Sequence, residues 1–288
     1  MTMTIAPSTV DVAGVATAVI DTGETGSGLP PVLLLHGSGP GVSAAANWRA
    51  VLPALRAGRR VIAPDQLGFG GTATGEVRTF GREAWTRHAL ALLDVLGVGQ
   101  VDVIGNSMGG AVALSMAVAR PSVVRRVVLM GTMGVAMRLP AGLDTVWGYT
   151  PGVEAMREVI GLFAYDRGLI NDELVRMRYE ASLDPPVRDS WAAMFPAPRQ
   201  RWVDDLALSD AELAAVRRPV LMVHGRDDRV VPWRSSSGPL VDLLPDCRLH
   251  VIGGCGHWTM IEKTAEFLAV VETFLGSAVE ARLDRETP

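Results

Sequence analysis

Lysine is almost missing from this sequence. Lys263 is the one lysine among 27 basic Lys and Arg residues, in a chain of 288. A basic surplus is missing as well, because the net charge is −4. Nucleic-acid binders usually concentrate basic charge on one segment, and no segment here does so. Cysteine is scarce: Cys247 and Cys255 stand alone, form no CxxC pair and cannot build a disulfide framework. Two free thiols in a reducing compartment are the expectation. No apolar run approaches the roughly 20 residues that a membrane helix needs. The opening stretch MTMTIAPSTVDVAG lacks a basic segment followed by an apolar one, so no signal peptide is expected. Together these absences place the protein in the cytoplasm, away from membranes and nucleic acid.

What is present is an ordinary globular composition, 48% hydrophobic and 20% charged. The length suits one large domain, or one domain with an insert. Short apolar runs occur at 31–35, 60–63, 101–104, 127–130, 220–223 and 249–252. Most are continuous rather than alternating, the pattern of strands buried on both faces of a parallel sheet. Helical spacing lies between them. Trp85, Ala89, Leu92, Leu93 and Leu96 share one stripe over 84–96, and Gly97 ends it. A second helical stretch covers 107–120 and stops at Pro121. Strands alternating with helices indicate a three-layer α/β domain.

The alternation breaks between about 133 and 208. Helical pieces at 152–163, 171–181 and 187–194 follow one another there without strands, punctuated by Pro185, Pro186, Pro196 and Pro198. The expected organisation is a core of 1–133 and 209–288, with 134–208 inserted as a helical cap. The polar tail after Gly276 is expected to fray.

The chemistry-bearing motif is Gly105-Asn106-Ser107-Met108-Gly109, of the form G-x-S-x-G. It follows an apolar run and opens a helical stretch, the context a nucleophile elbow requires. Ser107 then sits at a helix N-terminus, where free N–H groups and the dipole favour developing negative charge. A serine hydroxyl needs a base. His36, His88, His224 and His250 lie in turns, helices or strands, where packing or hydrogen bonding is the better reading. His257 lies in the glycine-rich loop Gly253-Gly254-Cys255-Gly256 after the last strand and is the candidate base. In chain order the acid falls between serine and histidine, after the run at 220–223. Asp228, three residues after Gly225, is selected, with Asp227 as the alternative. Its task is to hold the imidazole tautomer. The turn His36-Gly37-Ser38-Gly39-Pro40-Gly41 lacks the Lys-Ser/Thr ending of a P-loop and fits half of an oxyanion hole. One N–H would come from Ser38 or Gly39 and the other from Met108. No metal-ligand spacing appears, and no cofactor is expected.

Taken together, these motifs resemble one branch of the α/β-hydrolase fold, the meta-cleavage product hydrolases, which cleave C–C bonds after extradiol ring opening of catechols. The resemblance runs from about 14 to 275. It is carried by HGSGPGVSAAANWR (36–49), VIAPDQLGFGGT (61–72), GNSMGGAVAL (105–114), VLMGTMGV (128–135), LFAYDRGLI (162–170), MFPAPRQRWVD (194–204), HGRDDRVVP (224–232) and LHVIGGCGHWTMIE (249–262). It implies a mostly parallel sheet flanked by helices, a helical cap, and a homodimer or higher homo-oligomer. It implies a 2-hydroxy-6-oxo-2,4-dienoate substrate from single-ring catechols. Asn106 would be an amide that binds this conjugated system, and Arg178 would stabilise the dienolate. Trp258 would pack beside the substrate, and Gly39 and Asn47 would lie near its carboxylate. Phe163, Val230 and Val231 would wall the group on the ketone carbon, favouring hydrogen or alkyl over phenyl. Ser38 replaces a glycine of some relatives, which leaves its side-chain role open. An ordinary carboxylesterase uses the same triad, and a non-catalytic ligand-binding protein can share the fold; turnover of a dienoate separates the three.

Overall fold

The computed structural model describes residues 6–72 and 79–276. The polar tail after Gly276 and the first five residues lie outside this range.

The chain opens with a hairpin of β1 (Ser8–Val12) and β2 (Val15–Asp21). Val12 pairs with Val15 across Ala13-Gly14, and both turn residues have positive φ, 53° and 86°. That is the backbone of a two-residue turn whose twist matches its strands. β3 (Val32–Leu35) follows, then the short helices α1 (Ala44–Trp48) and α2 (Leu52–Gly58), then β4 (Val61–Pro64). Next come α3 (Arg82–Val95), β5 (Val101–Asn106), α4 (Met108–Ala119) and β6 (Val124–Met130).

Five helices follow β6 with no strand between them. They are α5 (Ala141–Trp147), α6 (Val153–Phe163), α7 (Asp172–Leu183), α8 (Pro185–Met194) and α9 (Gln200–Leu206). Pro185 and Pro186 occupy the first turn of α8, where a missing N–H costs nothing. Leu208 N–H donates to the Gly134 carbonyl at 3.0 Å, so the chain returns to the place it left. The remainder is α10 (Asp210–Ala214), β7 (Val220–Gly225), α11 (Ser237–Leu243), β8 (Cys247–Ile252), α12 (Thr259–Glu262) and α13 (Thr264–Gly276).

The eight strands form one sheet in the order β1-β2-β4-β3-β5-β6-β7-β8. From β4 to β8 every pair is parallel; β2 is antiparallel to both β1 and β4. The six apolar runs of the sequence are β3 to β8. β3, β4, β5 and β7 are buried at every residue, as strands covered by helices on both faces must be. One charged residue interrupts this pattern. Asp102 in β5 has no exposed surface and is held by Arg59 at 2.8 Å and by Arg125. This cluster sits at the start of β5, while Asn106 and Ser107 lie at its other end. Reactive groups of open parallel sheets gather at the carboxyl ends of the strands, and this one follows that rule. Among the described residues no helix is long and apolar enough to cross a membrane. Cys247 and Cys255 are both unbridged.

Candidate active site

Ser107 joins β5 to α4 with φ 54° and ψ −116°, a conformation costly for any residue with a side chain. Its surroundings enforce that geometry. Its N–H donates to the Met130 carbonyl at 2.9 Å, and its carbonyl accepts from Gly110 and Met133 at 2.9 and 3.0 Å. The flanking glycines are required by close approach. A Cβ at Gly109 would collide with the Leu35 and His36 carbonyls, and one at Gly105 with the Gly109 carbonyl. β5 and α4 therefore meet with no room for side chains, and the serine is thrust forward.

The candidate acid and base come from separate loops. His257 Nδ1 lies 2.6 Å from Asp228 Oδ2, and both side chains are almost fully buried. Asp228 Oδ1 accepts the N–H groups of Val230 and Val231 at 2.8 and 2.9 Å. Burial alone would raise the Asp228 carboxyl; the His257 and His224 imidazoles beside it override that and hold it well below the usual carboxylate range. Asp227, the other aspartate, points away and accepts from Gly254 N–H at 2.9 Å. His257 N–H donates to the Phe163 carbonyl at 2.8 Å. Among the described residues the Ser107 hydroxyl makes no hydrogen bond to His257. In this fold such contacts tighten once substrate is bound.

The turn after β3 supplies the opposite wall. His36 Nδ1 donates to the Gly37 carbonyl at 2.8 Å, while its Nε2 accepts from Gln66 N–H at 2.9 Å. Burial lowers the affinity of this imidazole for a proton, consistent with a neutral ring that shapes the turn. Met108 is the first residue of α4, where an N–H has no partner inside the helix. Ser38, whose side-chain role the sequence left open, accepts the Trp147 indole N–H at 2.9 Å. A residue of α5 thereby touches the turn after β3.

A narrow cleft adjoins these groups. Ser38, Gly39, Asn47, Asn106, Phe163, Arg178, His257 and Trp258 line it together. Val230 and Val231 do not; their backbones hold Asp228 instead. Phe163 stacks on His257 at 5.6 Å and on Trp258 at 5.1 Å between ring centroids. Asn106 is anchored by an amide N–H to the Met130 carbonyl at 3.1 Å. Arg178 lies on the inner face of α7 with Val175 and Ser182, at 7% exposure, although charged helices usually show arginine to water. Burial, with help from nearby Arg49, lowers its pKa to about 10, which still leaves a cation at neutral pH. Two buried donors in this cleft, Arg178 Nε and Asn47 Nδ2, have no partner among the described residues. Leaving such groups unpaired costs about 1–3 kcal/mol each, so both can take an acceptor atom placed in the cleft.

The alpha/beta hydrolase family model matches residues 32–270. A 2-hydroxymuconate semialdehyde hydrolase of Pseudomonas sp. (strain CF600) is 48% identical over 260 residues, 90% of this chain and 91% of the relative. A 2-hydroxy-6-oxo-2,4-heptadienoate hydrolase of Pseudomonas putida is 51% identical over 247 residues, 86% of this chain and 89% of the relative. Among solved structures, a meta-cleavage product hydrolase from Pseudomonas fluorescens IP01, complexed with acetates, superposes with a TM-score of 0.90 at 45% identity. That match covers 94% of this chain and 98% of the other. The chain belongs to the alpha/beta hydrolase family and, within it, to the meta-cleavage product hydrolases.

Several residues near the candidate site carry no signal of their own in the sequence. Arg49, Val42, Ala46, Leu174 and Ile261 also line the cleft. Glu262 was read only as part of a segment. Its Oε1 accepts from Gly256 N–H and its Oε2 from Tyr165 and Asp166 N–H, all at 2.8 Å. No local pattern in the sequence signals either set, because the partners are far apart along the chain.

Proposed function

We propose that this enzyme hydrolyses the C5–C6 bond of 2-hydroxy-6-oxo-2,4-dienoates formed from single-ring catechols. The products are 2-hydroxypenta-2,4-dienoate and a carboxylic acid. The observation that carries this reading is the pair of unpartnered buried donors, Arg178 Nε and Asn47 Nδ2, in the cleft that Asn106 and His257 also line. A simple ester presents no anion that calls for a buried guanidinium, whereas a dienoate carries a carboxylate and a dienol oxygen at one end.

Ser107, Asp228 and His257 act as nucleophile, acid and base. Arg178, Asn47 and Asn106 bind the carboxylate end, with Gly39 leaving room beside Arg178. Phe163 and Trp258 cover the flat conjugated system. The dienol first ketonises, its 2-hydroxyl proton being lost and C5 gaining one. Ser107 Oγ then attacks C6 while its proton passes to His257. The developing oxyanion is met by N–H of Met108 and of Ser38 or Gly39, at about 3–4 kcal/mol per donor. The C5–C6 bond breaks and its electron pair flows through the C3=C4 bond to the C2 oxygen beside Arg178. That oxygen takes up the proton that His257 received from Ser107, which leaves the imidazole neutral again. Water, deprotonated by His257, releases the acyl group as the acid. A route in which Ser107 and His257 instead activate water directly would leave no acyl-enzyme and no burst.

The segment 134–208 serves as the cap over this cleft, Val230 and Val231 wall the C6 group beyond it, and the enzyme works as a cytoplasmic homo-oligomer. Light scattering on purified protein tests the assembly. The activity test supplies the yellow ring-opened products of catechol, 3-methylcatechol and 2,3-dihydroxybiphenyl to wild type and Ser107→Ala. Bleaching by wild type alone supports the proposal and ranks the C6 groups. Bleaching of none, with hydrolysis of plain esters, returns the chain to the general esterases.

A further inference from the structure

The triad accounts for three side chains, yet Asp228 has a fourth neighbour. His224 is the second-last residue of β7 and has no exposed surface. Its Nε2 lies 3.1 Å from Asp228 Oδ2 and 2.8 Å from the Val231 carbonyl. Both neighbours are acceptors, so Nε2 carries the hydrogen. Nδ1 is then a lone pair, and the Ser237 hydroxyl on α11, 2.7 Å away, donates to it. A neutral ring in a single tautomer satisfies all three contacts.

The consequence falls on the carboxylate. Asp228 Oδ1 is fixed by two backbone N–H groups, and Oδ2 is shared between two imidazoles, His257 Nδ1 and His224 Nε2. Val231 serves both sides, giving its N–H to Oδ1 and its carbonyl to His224. The carboxyl plane therefore cannot turn. A second donor on Oδ2 also draws off charge that would otherwise act on His257 alone.

We propose that His224 is a positioning residue that fixes Asp228 and limits how strongly it pulls on the His257 proton. The inference rests on the triad proposed above. Without His224 the carboxylate pull grows, the imidazolium of His257 is stabilised, and the base titrates at higher pH. Other groups around the pair stay in place in the test. Asp227 and Arg229 flank Asp228 in the chain, Cys255 and Glu262 flank the His257 loop, and Arg178 faces His257 across the cleft. Burial pushes the Cys255 thiol up to about 12, so it does not titrate in the same range.

Two variants decide. His224→Gln carries an amide N–H at the reach of Nε2, whereas His224→Asn carries it only at the reach of Nδ1. The His257 ring is followed by nitrogen NMR across pH, which needs no substrate, and the acid limb of kcat/KM is followed beside it. His224→Asn is expected to raise both midpoints by about half a pH unit or more and to lower kcat about tenfold. His224→Gln is expected to return both midpoints toward wild type. Equal midpoints in wild type and both folded variants, or equal behaviour of Gln and Asn, would overturn the inference. Should the Asn variant fail to fold, Ser237→Ala releases the His224 ring more gently; an unmoved His257 midpoint there also overturns it. Wild type that bleaches no dienoate would sink the proposed reaction and leave the NMR result standing.

Discussion

Phe163 holds His257 from two directions. Its carbonyl accepts the His257 N–H at 2.8 Å, and its ring stacks on the imidazole with 27° between planes. The last residue of α6 therefore orients the imidazole proposed as the base. Phe163→Ala keeps the carbonyl and removes the ring. It should lower kcat about tenfold and destabilise by about 3 kcal/mol, the lower end for a buried phenylalanine because the cleft already borders it. Single-turnover rates and denaturant midpoints read the two effects.

The proposed role of Arg178 predicts opposite effects on stability and activity. Arg178→Leu removes a buried cation whose Nε has no partner. The folded protein should gain stability, by about 1 kcal/mol, while kcat/KM on a dienoate falls about a hundredfold or more. Paired thermal melts and kinetics check this, and a variant that loses both would contradict it.

The strain at Ser107 is measurable. Ser107→Ala keeps a Cβ at φ 54°, whereas Ser107→Gly does not. Both should be inactive, and the glycine variant should be the more stable by about 1–2 kcal/mol. Equal melting temperatures would mean that the elbow stores no strain.

Glu262 gathers three N–H groups from Gly256, Tyr165 and Asp166. Glu262→Ala should loosen the His257 loop and the end of α6 together. Hydrogen exchange should quicken at all three amides, and kcat should drop about fivefold or more with KM less affected. Faster exchange at Gly256 alone would show that the two segments are not coupled through this carboxylate.

His88 carries a pH signature. Its Nε2 contacts Thr17 at 3.0 Å, and burial lowers its pKa to about 4 from the ordinary 6.5. The unfolded chain therefore takes up a proton that the folded chain refuses between these values. Stability contributed by the neutral ring is complete above pH 6.5 and declines as pH falls toward 4. His88→Gln should flatten that part of the melting-temperature curve, and an unchanged slope would assign the acid sensitivity elsewhere.

The parts of this molecule that could be read in the sequence are those whose cause is local. β3, β4, β5 and β7 announce themselves because strands covered on both faces must be apolar nearly throughout, and β6 and β8 show shorter apolar runs. The elbow is legible because its glycines answer to contacts within a few residues. β1 and β2 were not anticipated. They lie at the sheet edge, and β1 exposes most of its residues. Their one local signal is the Ala13-Gly14 turn between alternating segments. His224 shows the other limit. A packing or hydrogen-bonding role could be read from its place in a strand, but its link to Asp228 depends on how the loop after β7 folds back. Val230 and Val231 were read as walls for substrate, and what the structure adds is their backbone N–H groups on Asp228. A residue's main chain leaves no trace in its letter.

The hydrogen bond from Leu208 to Gly134 has a consequence of its own. The excursion begins and ends at one point, so the sheet registers nothing of what lies between. The intervening helices are then a replaceable part. Their length and sequence can drift, or be exchanged with those of a relative, without disturbing strand order or the elbow. New substrate preference in such a scaffold can be acquired by changing what is clipped on, so long as the exchanged helices still bring a carbonyl and a ring to His257 as Phe163 does.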